Sequence, residues 1–340
     1  MRVLHAANYS LRRDGTEFFN CEFKFHTGLC QAGHYVYPFS INDRARDNLF
    51  GTSRLGKAKA NRALIAACAN IAPDLVLLGH APAITPETLA MLRRQHPAAA
   101  FALWYVDAVY FQDRFDQLCA KLPYLDALFV TTAGEPLERF RAYCRDRSLA
   151  CRPAFIPNPV DSGVERLAVD ESATPPRHDL VFIGTDYQRP ERRAFLDALA
   201  AKADGLRLAF AGCRDNPPVF GHERDLLLAA SLTALNLSDR NDVPLYSSDR
   251  IAQLTGNGLC TFTPASTGLQ TLFVPDREMV FFDTVDDLVA RLRHFAAHPD
   301  AARAIGRAGR LKAHERYSGK AIAEFMCDWI FAPKRAREWV

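Results

Sequence analysis

The sequence is short of the features that mark several large protein classes. Its nine cysteines (Cys21, Cys30, Cys68, Cys119, Cys144, Cys151, Cys213, Cys260 and Cys327) contain no Cys-x-x-Cys pair, and their number is odd. Most lie in apolar stretches, where cysteine behaves as a small hydrophobe. The pattern argues against a disulfide framework and a zinc site, and for a reducing compartment. No run of about 18 apolar residues occurs, so no membrane span is expected. The opening Arg2-Val-Leu-His-Ala-Ala7 is too short for a signal peptide and is followed soon by Arg12-Arg13-Asp14. An excess of one charge is also missing. The 42 basic residues face 39 acidic ones, a formal net charge of +3, whereas a nucleic-acid binder shows a dense basic face. Nucleic acid is therefore not an expected partner. No low-complexity segment and no short-period repeat appear.

What is present is a long chain of ordinary globular composition, 340 residues with 49% hydrophobic and 24% charged. One core seldom serves that length, so two domains of roughly 150 residues are expected. Short apolar runs alternate with helical patterns throughout. In the first half, strands are expected at Val3 to Ala7, His34 to Ser40, Asp74 to Leu78, Phe101 to Val106, Asp126 to Val130 and Phe155-Ile156. Helices are expected at Glu17 to Ala32, Lys57 to Ile71, from Thr85 with Pro86 at its first position, and at Glu135 to about Asp146. A second series follows a Pro175-Pro176 stretch. Its strands are Asp179 to Ile183, Leu206 to Gly212, Thr233 to Leu237, Leu259 to Phe262 and Glu278 to Phe282. Its helices are Glu191 to Ala203, Glu223 to Ala230, Asp249 to Thr255, Thr267 to Phe273 and Val285 to Ala297, with a helical end from Pro299 to about Phe331. Strands alternating with helices imply right-handed crossovers and parallel sheets. The expected class is α/β, with domains at 1–160 and 178–326, a linker at 161–177 and a tail helix at 327–340. Pro157 and Pro159 hold the crossing segment Ile156 to Asp161 extended. Open α/β sheets bind ligands beyond the carboxyl ends of their strands, so a ligand cleft between the halves is expected.

Four stretches of the second half resemble the nucleotide-sugar domain of GT-B glycosyltransferases, most closely the spore-maturation-type branch of the group 1 enzymes. They are Phe155-Ile-Pro-Asn-Pro-Val-Asp161; Leu180-Val-Phe-Ile-Gly-Thr185 with Arg189-Pro-Glu-Arg192; Leu235-Asn-Leu-Ser238 with Ser247-Ser-Asp-Arg250 through Gly258; and Gly268-Leu-Gln-Thr-Leu-Phe273 with Glu278-Met-Val-Phe-Phe-Asp283. The pattern continues through His314-Glu-Arg-Tyr317. The resemblance implies two Rossmann-type parallel-sheet domains facing across a cleft. It implies transfer of a sugar from a nucleotide-sugar donor to a saccharide or glycoconjugate hydroxyl, in cell-surface or secreted polysaccharide synthesis. The nucleotide sugar is a co-substrate, and neither cofactor nor metal is implied. Two readings compete with this one: a GT-B-type nucleotide-sugar epimerase, and a degenerate nucleotide-sugar-binding module. The family's retaining members often carry two glutamates separated by seven residues; the corresponding positions here hold Leu245 and Gln253, so the anomeric outcome does not carry over.

The resemblance and the residue chemistry together nominate a donor site. Gly184 lets the backbone approach a ligand, and Thr185 offers a hydroxyl; an ordinary strand-to-helix turn is the alternative. Arg189 stands where a helix starts, a position unfavourable to a cation unless an anion is present. Asn236 lies at a strand end. Ser247 and Ser248 would cap the helix, meet phosphate, or both. Arg250 in its first turn would face the diphosphate, and Gln253 on the same face would meet the ribose. Gly268 and Leu269 would open a short helix towards phosphate or sugar. For the acceptor side, Asp14, Glu17, His80 and Asp107 sit at strand ends or in the first strand-to-helix loop, as candidate general bases or as loop-ordering groups. The tail Trp329 to Val340 mixes aromatics with bases. It would either rest on the inner face of a membrane or pack back on the first domain; the expected location is otherwise cytoplasmic.

Overall fold

The computed structural model describes residues 1–47, 52 and 55–339. The chain forms two units. One holds residues 1–159 together with the C-terminal residues from Gly319, and the other is Val160–Ser318.

In the first unit the strands β1 (Arg2–Ala7), β2 (Tyr35–Ser40), β3 (Leu75–Gly79), β4 (Ala100–Tyr105), β5 (Ala127–Val130) and β6 (Arg152–Phe155) alternate with helices. These are α1 (Cys21–Gln31), α2 (Ile41–Arg46), α3 (Lys57–Ile71), α4 (Pro86–Gln95), α5 (Gln112–Cys119) and α6 (Glu135–Asp146). The sheet is parallel with the order β2-β1-β3-β4-β5-β6. Every residue of β3, β4 and β5 is buried, as a parallel sheet covered on both faces requires. The helix α4 begins where the sequence signals it. The Thr85 hydroxyl accepts a hydrogen bond from the Thr88 amide at 3.3 Å, and Pro86 takes the first position. In contrast, α1 starts at Cys21 and not at Glu17. Ser10 and Asp14 adopt left-handed backbone angles (φ +52° and +50°), and Thr16 donates to the Arg13 carbonyl at 2.8 Å. Local side-chain bonding of this kind competes with the helix. The helix α5 was not expected from the sequence.

His5 lies at the centre of this core with no solvent exposure. The Trp104 indole donates to its Nε2 at 3.0 Å, and the Tyr9 hydroxyl lies 2.6 Å from Nδ1. An indole only donates, so the neutral ring carries its proton on Nδ1. Burial lowers the His5 pKa to about 3, with nearby His26 adding to the effect. An unfolded histidine titrates near pH 6.5. Between these values the unfolded chain holds a proton that the folded chain lacks. Stability should therefore fall as pH drops from about 6.5 towards 3, by about 1.4 kcal/mol per pH unit for this one group. Urea unfolding at stepped pH checks this, and His5→Gln should remove one proton's worth of the slope.

The last helix, α12 (Gly319–Phe331), packs on α1 through two glycines. A Cβ on Gly28 would fall 2.2 Å from the Gly319 carbonyl group, and one on Gly319 would fall 2.5 Å from the Lys24 oxygen. Backbones this close tolerate no side chain. Gly28→Ala should cost about 2 kcal/mol, read as a lower urea midpoint at unchanged m-value.

This contact also moves the expected boundaries. The helical end breaks at Tyr317-Ser318, and Gly319 onward joins the first unit, whereas the sequence reading placed 178–326 in the second domain. The tail helix assigned to 327–340 ends at Phe331, and Val340 lies outside the described residues. Within the tail, Trp329 Nε1 donates to the Arg152 carbonyl at 3.1 Å, Trp339 meets the Phe325 ring edge-on at 5.8 Å, and Glu338 pairs with Arg141 at 2.8 Å. Two of the aromatics offered for membrane contact, Trp329 and Trp339, are thus engaged by the first unit, whereas Phe331 is exposed. Among the described residues no helix is long and apolar enough to cross a membrane.

The second unit contains β7 (His178–Ile183), α7 (Pro190–Lys202), β8 (Leu208–Ala211), α8 (Gly221–Ala229), β9 (Ser231–Leu235), α9 (Arg250–Gly256), β10 (Cys260–Pro264), β11 (Val280–Phe282), α10 (Val285–Ala297) and α11 (Pro299–Arg316). Its parallel sheet runs β11-β10-β9-β7-β8. The stretch 161–177, expected as a linker, is packed into this unit. Arg310 grips the buried Asp170 through two bonds of 2.7 and 2.8 Å, and the Leu167 amide donates to Asn257 Oδ1 at 3.0 Å.

Candidate functional site

Each sheet reverses its direction of growth once. In the second unit the chain passes from β7 outward to β8, then returns to place β9 on the other side of β7. The carboxyl ends of β7 and β9 therefore flank the switch point, where ligands bind in open α/β sheets. Arg250 occupies that point. Its Nε donates to the Ile183 carbonyl at 2.7 Å and its Nη1 to the Leu237 carbonyl at 2.9 Å, bracing the guanidinium between the two strand ends. The Phe182 ring centroid lies 4.9 Å from its Cζ. Gly184 makes the position possible, since a Cβ there would lie 2.5 Å from Arg250 Nη2. Burial lowers the Arg250 pKa to about 10, with the Arg192 guanidinium adding to the effect. Among the described residues no carboxylate comes within ion-pair distance of Arg250.

Unsatisfied polar atoms gather around the same strand end. Asn236 Oδ1, Ser238 Oγ, Ser248 Oγ and Arg192 Nε are buried without a hydrogen-bond partner in the protein. Asn236 uses only its amide nitrogen, which donates to Thr263 Oγ1 at 2.7 Å. Each such atom costs roughly 1–3 kcal/mol when left unpaired, and native structures keep few. Their concentration beside a cation without a carboxylate marks the β7–β9 edge as a site for an anionic, hydroxyl-rich ligand.

Other nominated residues are engaged differently. Arg189 and Arg192 both bind Asp239, Arg189 through Nη2 at 3.1 Å and Arg192 through Nη2 at 2.8 Å. The anion that a cation at this helix start demands is supplied by the chain itself. Thr185 Oγ1 accepts from the Tyr187 amide at 3.1 Å, closing the turn. Ser247 is buried, but neither serine caps α9, whose cap position is Asp249 with no side-chain bond to the amides of the first turn. Gln253 is locked on both sides: Oε1 accepts from Arg224 at 2.8 Å, and Nε2 donates to Asp249 at 2.7 Å. Gly268 (φ +72°) separates two three-residue 3-10 turns, so the expected helix 267–273 does not form. Leu269 is buried there. Leu245, at the first glutamate position, has a left-handed backbone (φ +57°) and its amide donates to the Thr267 carbonyl at 2.8 Å.

The first unit has its switch point between β1 and β3. Asn8 follows β1, His80 follows β3, and Asp107 follows β4; together they line a cavity of about 170 Å³. His80 Nδ1 lies 3.2 Å from Asp107 Oδ2. The His80 ring packs on Tyr105, 4.6 Å between centroids, and edge-on to Trp104 at 5.1 Å. His80 and Ala81 take consecutive left-handed backbone angles (φ +53° and +48°), strain of a kind that clusters at functional sites. The structure thus unites two of the four nominated acceptor-side groups. It does not bring in the other two: Glu17 pairs with Arg13 at 3.1 Å, and Asp14 is exposed at the end of a 3-10 turn. Sequence reasoning missed Asn8, Arg114 and Lys121, which line the same cavity. The last two belong to or follow α5, which the sequence reading lacked. Among the described residues no group of three or more metal-ligating side chains occurs.

Two successive doubly wound parallel sheets, each with a polar site at its switch point, define the architecture as GT-B, that of a large class of glycosyltransferases. Residues 189–328 match the family model described as glycosyl transferase-like. Solved structures agree over nearly the whole chain. Anabaena HepE in complex with UDP and glucose is 13% identical, with 98% of this chain and 100% of that chain covered and a TM-score of 0.59. Sucrose-phosphate synthase from Thermosynechococcus elongatus is 16% identical, with 97% and 98% covered and a TM-score of 0.56. T4 phage BGT in complex with its UDP-glucose substrate is 10% identical, with 98% and 100% covered and a TM-score of 0.52. At these identities the likeness is one of fold. No curated protein matches the chain in sequence.

Proposed function

We propose that the chain transfers a sugar from a UDP-linked donor to a hydroxyl of a saccharide or glycoconjugate, without a metal ion. The observation that carries this reading is Arg250, a partly buried cation at the β7–β9 switch point that holds two strand-end carbonyls and has no carboxylate in ion-pair distance among the described residues. Departure of the diphosphate develops negative charge on its oxygens. A fixed guanidinium in a low-dielectric setting stabilises that charge without reorganising, and the Ser248 and Ser238 hydroxyls beside it supply further donors. Asn236 Oδ1 is suited to accept from a hydroxyl of ribose or sugar. UDP is chosen as the carrier because HepE was solved with UDP and T4 phage BGT with UDP-glucose.

For the acceptor, His80 serves as general base. Asp107 accepts from Nδ1 and so leaves Nε2 free to take the hydroxyl proton. Asp107 also steadies the imidazolium that results. Gly184 and Thr185 shape the donor pocket, Ser247 supports Ser248, and Gln253, with Arg189 and Arg192, holds the walls rather than the ligand. A thermal-shift panel of UDP, GDP, CMP, ADP and dTDP tests the reading, followed by turnover of the cognate nucleotide sugar. Free UDP appearing only when an acceptor is added supports transfer. Interconversion of the sugar nucleotide would identify an epimerase, and absence of any shift at millimolar nucleotide would overturn the reading.

A further inference from the structure

We propose that the acceptor handled by the first unit carries an oxyanion, a carboxylate or a phosphate, which Lys121 and Arg114 receive beside His80. The inference rests on the reading of His80 as the base of a glycosyltransferase, and it names the class of acceptor.

Lys121 lines the cavity with Asn8, His80, Tyr105, Asp107 and Arg114. It is only 6% exposed. Its ammonium makes one hydrogen bond, to the Ala81 carbonyl at 2.5 Å, although an ammonium offers three donors. No carboxylate among the described residues forms an ion pair with it. A buried cation without a counter-charge is destabilising, and burial, with Lys57 nearby, lowers the Lys121 pKa to about 8. At neutral pH it remains mostly charged. A methionine would fill the same space without that cost, so the charge itself calls for a partner that the protein does not provide.

The charge balance of the lining points the same way. Lys121 and Arg114 give two positive charges, and Asp107 gives the one negative charge, already committed to His80 at 3.2 Å. The Arg114 ion pair is with Asp113 at 3.7 Å, and both side chains are substantially exposed, 46% and 65%; Arg114 also reaches the Tyr105 hydroxyl and acts electrostatically on Asp107. Such a surface pair is weak, leaving the guanidinium available to a ligand oxyanion in the fork geometry it favours. Asn8 Oδ1 is buried without a partner and can accept a hydroxyl next to that oxyanion. The cavity, about 170 Å³, is large enough to hold more than a single water or ion. Lys121 also bonds the carbonyl directly after His80, so an anion seated on it sits close to the base.

Titration calorimetry on the full chain saturated with UDP tests the proposal, with methyl glucuronide, glucose 6-phosphate and methyl glucoside as probes. At least one charged probe should bind ten-fold or more tighter than methyl glucoside. Preference for the glucuronide assigns a uronate-type acceptor, and preference for the phosphate assigns a phosphorylated one. Lys121→Met should reduce the preference to two-fold or less while UDP affinity stays within two-fold. Arg114→Gln, at a half-exposed position, should reduce it at least three-fold and guards against misfolding of the first variant. Equal binding of all three probes by the unaltered protein, or a preference that survives both substitutions, overturns the proposal. If UDP itself does not bind, the glycosyltransferase reading fails instead, so the two failures are distinguishable.

Discussion

His80→Asn should lower turnover about 1000-fold while leaving UDP affinity unchanged. General-base catalysis contributes roughly 10²- to 10⁴-fold, and His80 is the titratable ring that the first unit holds at its switch point. Asparagine is the informative replacement. Position 80 has φ +53°, a region that asparagine tolerates and most side chains do not, so the loop is expected to keep its shape. The effect should fall on kcat, because the base acts on the acceptor and UDP is bound by the other unit. Asp107→Asn tests the pairing behind it. An amide in place of the carboxylate can offer its NH₂ to Nδ1, which favours the tautomer with the proton on Nε2 and removes the free lone pair. A 10- to 100-fold loss is expected there, smaller because Asp107 is largely exposed, 68% by its side chain, and water competes for its place. Steady-state UDP release with an acceptor measures both. Full activity in His80→Asn would remove it from the chemistry and redirect attention to Asp107 alone.

The fold was legible because it rests on local rules. Apolar runs bounded by turn residues placed ten of the eleven strands within two residues of their ends, β6 beginning three residues before the expected Phe155, and the helices α3, α6 and α10 fall on their expected residues. Capping signals such as Thr85-Pro86 act within four residues and can be read directly. The misplacements have long-range causes. Periodicity runs on past Tyr317, and nothing near it in the chain announces that Gly319 must meet Gly28, almost 300 residues earlier. The same holds for the site. Gly184 and Arg250 were nominated from motif order, and the structure brings them into contact. Arg189 looked equally suited to phosphate, but its anion is Asp239, fifty residues downstream. Gln253 faced a plausible ligand on a helical wheel, yet Arg224 claims it from α8. Lys121 was invisible for a different reason: a lysine in a turn carries no pattern that separates a buried cation from a solvated one. For Gly319, Arg189 and Gln253 the deciding quantity is the identity of a distant partner, and for Lys121 it is burial; composition and spacing encode neither.

Arg250→Ala should weaken UDP binding about 100-fold while changing the stability of the unliganded protein by no more than about 1 kcal/mol. The first figure follows from loss of one or two charge-assisted hydrogen bonds to phosphate, each worth about 1.5–3 kcal/mol. The second follows from two opposing effects. Removing the side chain leaves the Ile183 and Leu237 carbonyls without their present donors, at roughly 1 kcal/mol or more each. It also removes a partly buried cation whose pKa burial lowers to about 10, and with it a desolvation cost of comparable size. A residue kept for the fold alone would not show this separation of binding from stability. Thermal denaturation with and without nucleotide reads both at once. At UDP held 100-fold above the original Kd, the unaltered protein gains about 2.7 kcal/mol, whereas a variant bound 100-fold more weakly gains about 0.4 kcal/mol at the same concentration. Arg250→Lys should recover part of the loss, since an ammonium supplies the charge but cannot span both strand-end carbonyls and a phosphate as a guanidinium does. A full UDP-induced shift in Arg250→Ala would move the phosphate away from the β7–β9 switch point, and with it the observation on which the proposed function stands.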